Sequence, residues 1–174
     1  MCFADRIAYT CCFLGHREIK ENAELSKRLC QQIEHLITVH NVHIFLFGSK
    51  SQFNSLCYKL VTELKEKYAH INRIYVRAEF PVIDDSYAKY LLDGYEDTYY
   101  PQSVLGAGRA AYIKRNYEMI DHSRFCIFCC EKAYTPKGRT SGTKRAFDYA
   151  TKRQKIIYNF PAFADCKFDT GHTP

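Results

Sequence analysis

No stretch of this 174-residue chain approaches the ~20 consecutive apolar residues that a bilayer-crossing helix needs, so an α-helical span and a membrane partner are not expected. The opening Met1-Cys-Phe-Ala-Asp-Arg6 has no basic stretch followed by a long apolar run; no secretory signal is read there, and a cytoplasmic protein is expected. The Gly-x-x-x-x-Gly-Lys-Ser/Thr spacing of a Walker loop is missing. Cys126-Ile-Phe-Cys129 has no second Cys-x-x-Cys and no suitably spaced His pair to complete four ligands, so no metal is expected. The cysteines number nine, an odd count, and Cys11, Cys12, Cys126, Cys129 and Cys130 lie inside apolar runs. That usage fits small buried hydrophobes in a reducing compartment, not a disulfide framework or a nucleophile at an exposed helix start. No Ser, Cys or His triad stands out, no catalytic residue is named, and no cofactor is expected.

What is present is an ordinary globular composition, 47% hydrophobic and 25% charged, at a length suited to one domain. The net charge of +6 is unevenly spread. From Arg109 to Arg153 there are 11 Lys/Arg against 4 Asp/Glu, whereas from Glu79 to Tyr100 there are 6 acids and one Lys. The basic half suits either nucleic acid or one polyanionic small molecule.

Apolar β-like runs alternate with helical periodicity along the chain. Strands are predicted at 6–14, 42–47, 71–78, 124–130 and 155–160, and helices at 21–39, 52–68, 110–122 and 141–153. Between Phe80 and Gly108 lies an acidic, Tyr-rich excursion, with a short helix near 86–92 and the rest a long loop, read as a lid or one wall of a site. The tail from Pro161 has no pattern. Continuous apolar strands belong to parallel sheets covered on both faces. The expected fold is therefore α/β: one doubly wound, mostly parallel, Rossmann-like domain with its core over about 6–160, binding its ligand at the carboxyl ends of the strands.

Three strand-to-helix junctions carry the candidate site. Gly15, His16 and Arg17 follow the first strand, Gly48, Ser49, Ser51 and Asn54 follow the second, and Ser141, Gly142, Thr143 and Lys144 open the last helix. Each places glycine, hydroxyls or cations where backbone N–H groups and a helix dipole favour phosphate. Arg115 and Asn116, at the start of the basic helix, either clamp such a ligand or form a solvated face. Asp148, one turn into the last helix, is an alternative ion-pair partner for Lys144. The adjacent acids Asp84-Asp85 and Glu96-Asp97 are the available acid–base pairs, and loop acids mostly face solvent.

At these junctions the chain resembles the SLOG superfamily, the Rossmann-like group that includes the lonely-guy cytokinin-activating enzymes, the DNA-processing protein A domain and small YpsA-like proteins. The residues that carry the resemblance are Phe13-Leu-Gly-His-Arg17, Gly48 to Phe53-Asn54, Asp97-Thr-Tyr-Tyr-Pro101, Arg115-Asn-Tyr-Glu-Met-Ile120 and Gly142-Thr143, in order over about residues 8–160. The resemblance implies a nucleotide or ADP-ribose-like ligand on these loops, assembly as a homo-oligomer, and a link to nucleotide signalling in bacterial and phage defence. Asn54 stands where relatives often carry Asp, and Ala146 where the lonely-guy enzymes place a Glu. That loss favours a binding module that senses or sequesters a phosphorylated nucleotide-type molecule. The alternatives are an N-glycosidic hydrolase or transferase using Glu96 or Asp97, and a single-stranded nucleic-acid binder. Tyr99, Tyr100 or His16 would face a base.

Overall fold

The computed structural model describes residues 6–131 and 141–161. Six strands form one all-parallel sheet: β1 (Thr10–Gly15), β2 (Ile44–Phe47), β3 (Asn72–Val76), β4 (Asp97–Tyr99), β5 (Phe125–Cys129) and β6 (Ile156–Asn159). Their order across the sheet is β4-β3-β2-β1-β5-β6. Five helices connect them: α1 (Ala23–His40), α2 (Gln52–Lys67), α3 (Asp85–Gly94), α4 (Ala111–Asp121) and α5 (Gly142–Lys152).

Side chains alternate across a strand, so each central strand feeds two cores. Cys11, Phe13, Phe45, Phe47, Ile127 and Cys129 pack under α1 and α2, with Leu91 of α3 in the same cluster. Cys12, Leu14, Leu46, Cys126 and Phe128 pack under Met119 and Ile120 of α4 and Ala146 and Ala150 of α5. Helices on both faces of a parallel sheet make the domain doubly wound and Rossmann-like. Among the described residues no helix is long and apolar enough to cross a membrane.

The helix limits follow from local chemistry. Asn22 caps α1, its side chain accepting from the Leu25 amide at 2.8 Å, and Asn41 ends it in the left-handed region at φ 54°. The buried stripe Leu25, Leu29, Ile33, Leu36 and Ile37 is the predicted one. Ser51 caps α2, Asp84 caps α3 and Ser141 caps α5.

The excursion differs from its expected form. It contains α3, as predicted, and then β4, which pairs with β3 from Ile74 opposite Asp97 to Val76 opposite Tyr99. Much of what reads as loop is therefore the sheet's edge, fixed further by Thr98 Oγ1 donating to the Tyr75 carbonyl at 2.8 Å. Residues 132–140, which precede the third junction, and the unpatterned tail beyond 161 lie outside the described residues.

Candidate functional site

The chain winds outward from β1 to β4 and then returns to lay β5 on the other side of β1. This reversal opens a crevice at the carboxyl ends of β1 and β5, the place where open α/β sheets hold ligands. A cleft of about 590 Å³ lies at that edge. Its walls include Gly15, His16, Arg17, Gly48, Ser49, Ser51, Arg115, Asn116, Ser141, Gly142 and Thr143. Of the residues assigned to the phosphate site from sequence, Asn54 and Lys144 are outside it.

The first two junctions are locked together. The Gln52 amide donates to the Arg17 carbonyl at 2.9 Å, and the Ile19 amide donates to Gln52 Oε1 at 2.9 Å. Gly15 is required by close packing: a Cβ there would stand 2.3 Å from the Phe53 ring. His16 bridges to β5, its amide donating to the Cys129 carbonyl at 3.3 Å and its Nε2 accepting from the Glu131 amide at 3.2 Å. That acceptor role leaves the ring proton on Nδ1. Burial lowers the His16 pKa, with the Glu131 charge opposing.

Ser49 and Ser51 spend their hydroxyls on the backbone. Ser49 Oγ accepts from the Ser51 amide at 3.1 Å, and Ser51 Oγ accepts from the Asn54 amide at 3.2 Å. Asn54 is 2% exposed. Its Nδ2 donates to the Phe13 carbonyl at 3.2 Å, and its Oδ1 lies 3.5 Å from the Gly48 and Ser49 amides. It shapes the loop from beneath and is a positioning residue.

At the third junction Ser141 Oγ takes the Lys144 amide at 3.1 Å, and the Ser141 carbonyl takes the Arg145 amide at 3.0 Å. The amides of Gly142 and Thr143 are the first two of α5, where a helix has no internal acceptor to offer. A Cβ on Gly142 would meet nothing within 4 Å, so nothing in the described protein crowds that position. Lys144 does not line the cleft: its ammonium pairs with Asp148 along the helix, the alternative that i,i+4 spacing allows.

Arg115 is the centre of the site. It is 2% exposed, so it is not part of a solvated helix face. Its Nη1 donates to the Gly48 carbonyl and, at 3.4 Å, to the Val76 carbonyl, while Nε donates to Asn116 Oδ1 at 3.0 Å. Among the described residues no carboxylate lies within ion-pair distance of it. Burial lowers its pKa, and the neighbouring Tyr75, Glu79 and Tyr112 partly restore it.

Three further residues line the cleft that were not assigned to it from sequence: Lys50, Glu79 and Tyr112. Glu79 stands three residues past β3, so the rule that singled out the ends of β1 and β2 would have found it. Tyr112, 54% exposed, places its ring 5.8 Å from the Arg115 guanidinium carbon.

The acids of the excursion lie elsewhere. Glu96 and Asp97 stand at the amino-terminal end of β4, beside a hollow lined by Arg6, Tyr9, His43 and Asn72. Glu96 is held by Arg73 through Nη2–Oε1 at 2.7 Å and Nε–Oε2 at 3.1 Å, with the Arg73 amide at 2.6 Å. Burial raises its pKa, but the Arg73 side-chain and backbone donors outweigh burial, and the result is below the ordinary carboxylate value. Neither acid lines the cleft; both stand at the opposite edge of the sheet. Tyr99 and Tyr100 do not line the cleft either: Tyr99 flanks a separate hollow with Thr10 and His122, and Tyr100 lies beside Arg77. Cys126 and Cys129 belong to opposite cores, so their spacing does not offer two thiols to one ligand.

Compared with known proteins, the chain matches no family model and no curated sequence.

Proposed function

We propose that this is a SLOG-like binding module for a phosphorylated small molecule of nucleotide type, held at the carboxyl edge of the sheet. The observation that carries this reading is Arg115, a buried guanidinium on the cleft wall whose hydrogen bonds all go to neutral oxygens, with the Glu79 carboxylate near it but beyond ion-pair distance. A buried charge without a directly paired counter-charge is costly, and an anion in the cleft would relieve it. The Gly142 and Thr143 amides and the positive end of α5 favour the same charge from the other wall. Ser141, Gly48 and Ser49 shape the approach. Arg17 and Lys50, both at the exposed rim, add attraction that salt would screen.

We propose sensing or sequestering in preference to turnover by Glu96 or Asp97, which stand at the far edge; Glu79 is the carboxylate that lines the cleft, and recovery of the ligand intact or cleaved decides between binding and chemistry there. Concavity favours a small molecule over an extended strand. We further propose a homo-oligomer acting in the cytoplasm, in nucleotide signalling of the defence type, on the strength of the superfamily resemblance alone.

The test is a thermal-shift screen against pyrophosphate, ribose 5-phosphate, mononucleotides, ADP-ribose, cyclic dinucleotides and single-stranded oligonucleotides at one ionic strength, with each small molecule recovered by chromatography. A ligand at 100 times its Kd stabilises the folded protein by about 2.7 kcal/mol. A rise in Tm with intact ligand supports the reading. Cleaved ligand replaces it with an enzyme. Binding of oligonucleotides alone, steeply lost with salt, replaces it with a nucleic-acid binder.

A further inference from the structure

Glu79 is a carboxylate in a cleft otherwise furnished for anions. It shares the walls with Arg17, Lys50 and Arg115, yet it pairs with none of them within ion-pair distance. Its one recorded hydrogen bond is a long one, Oε2 accepting from the Ala78 amide at 3.3 Å. An ionised carboxylate is acceptor-only, with capacity on both oxygens, so it seeks donors. Against a ligand that is phosphate throughout it is repulsive, and a site for such a ligand gains nothing by keeping it. Against a ligand with neutral hydroxyls beside its phosphate it supplies charge-assisted hydrogen bonds.

The surroundings fit such a mixed ligand. Glu79 follows β3, whereas the α5 amides lie on the far side of β1, so the two attract different parts of one molecule across the cleft. Tyr112 lines the same cleft and is 54% exposed, and an aromatic ring there suits the C–H face of a sugar. Beneath this wall the Tyr75 hydroxyl is buried and has no hydrogen-bond partner among the described residues.

We propose that Glu79 is a specificity residue that accepts hydrogen bonds from the vicinal hydroxyls of a ribose phosphate, whose phosphate lies on Arg115 and the α5 amides. The inference rests on the phosphate reading of the cleft and narrows it from nucleotide-type molecules generally to those that present free vicinal ribose hydroxyls to Glu79.

The experiment is calorimetric titration at constant ionic strength with three probes: pyrophosphate, ribose 5-phosphate and 2-deoxyribose 5-phosphate. The wild-type protein is expected to prefer ribose 5-phosphate to its deoxy analogue by about tenfold or more, as a site built to bond a hydroxyl does. In Glu79→Gln that preference is expected to fall below about threefold, while pyrophosphate binds more tightly because a like charge is gone. Equal binding of the two sugars by the wild type, or an undiminished preference in Glu79→Gln, overturns the proposal and leaves the phosphate reading standing if pyrophosphate binds. Loss of pyrophosphate binding in Glu79→Gln also overturns it, since Glu79 would then be supporting the loop. Failure of all three probes with the wild type removes the phosphate reading and this proposal with it.

Discussion

The Arg115 guanidinium rests on Gly48: it donates to the Gly48 carbonyl, and a Cβ on Gly48 would stand 2.7 Å from Arg115 Nη1 and 2.8 Å from its Cδ. Glycine and arginine, 67 residues apart, therefore define one position. Gly48→Ala is expected to displace the guanidinium, to cost about 1–3 kcal/mol of stability as overpacking does, and to weaken pyrophosphate binding by about tenfold or more. Urea denaturation and calorimetry check the two effects separately.

Arg115→Met tests the buried cation directly. It takes the donor from the Gly48 and Val76 carbonyls, and each buried group left unpaired costs about 1–3 kcal/mol. The variant is expected to melt below the wild type and, while folded, to show no rise in Tm with pyrophosphate. A full rise in this variant would show that the buried cation does not hold the anion.

Asn54→Ala tests the support of the loop. It strips the partner from the buried Phe13 carbonyl and from the Gly48 and Ser49 amides, although Asn54 itself does not line the cleft. Each buried group left unpaired costs about 1–3 kcal/mol. The urea midpoint should fall below that of the wild type, and pyrophosphate should still raise Tm but less than in the wild type, because the cation remains while the loop beneath it has lost its support.

His16 gives the protein a pH dependence. Its folded-state pKa lies below the ordinary 6.5, burial being the main cause. Between those two values the unfolded chain holds the proton and the folded one does not, so stability rises with pH. The contribution is complete above about 6.5 and is lost as pH falls toward the folded value. Urea midpoints from pH 8 downward should decline less in His16→Gln than in the wild type over that window.

Glu96→Gln should affect stability and leave the cleft alone, since its partners are Arg73 and Lys65 at the other end of the sheet. Because Arg73 holds the folded-state pKa of Glu96 down against burial, this stability is present above about 4.5 and is lost as pH falls through the lower folded value. Loss of pyrophosphate binding in Glu96→Gln, with the protein folded, would contradict the separation of the two edges.

Most of the fold and much of the site can be read in the sequence, for a shared reason: β1, β2 and β5 are apolar runs that end abruptly in Gly or a polar residue. Periodicity locates the run, and the break locates the edge. β4 escapes because three residues, two of them polar or charged, make a strand only when an edge is waiting for them. Glu96 reads as a loop acid for the same cause, since its partner Arg73 is brought alongside by that pairing. Lys144 has two partners at similar reach, and helix geometry chooses Asp148. The burial of Arg115 cannot be inferred from a helix that reads as basic; it follows from the side chain reaching the Gly48 and Val76 carbonyls at the carboxyl ends of β2 and β3.

The reversal at β1 has a mechanical consequence. It divides the sheet into a four-strand portion and a two-strand portion joined by one ladder, β1 against β5, and by the two cores that straddle it. The Gly48–Ser51 loop and Arg115 contact belong to one portion and the start of α5 to the other, so a molecule bound between them works as a rivet across that line. Occupancy would then be felt far from the cleft as slower opening of the β1–β5 seam, turning the presence of a small solute into a change in how readily the two portions part.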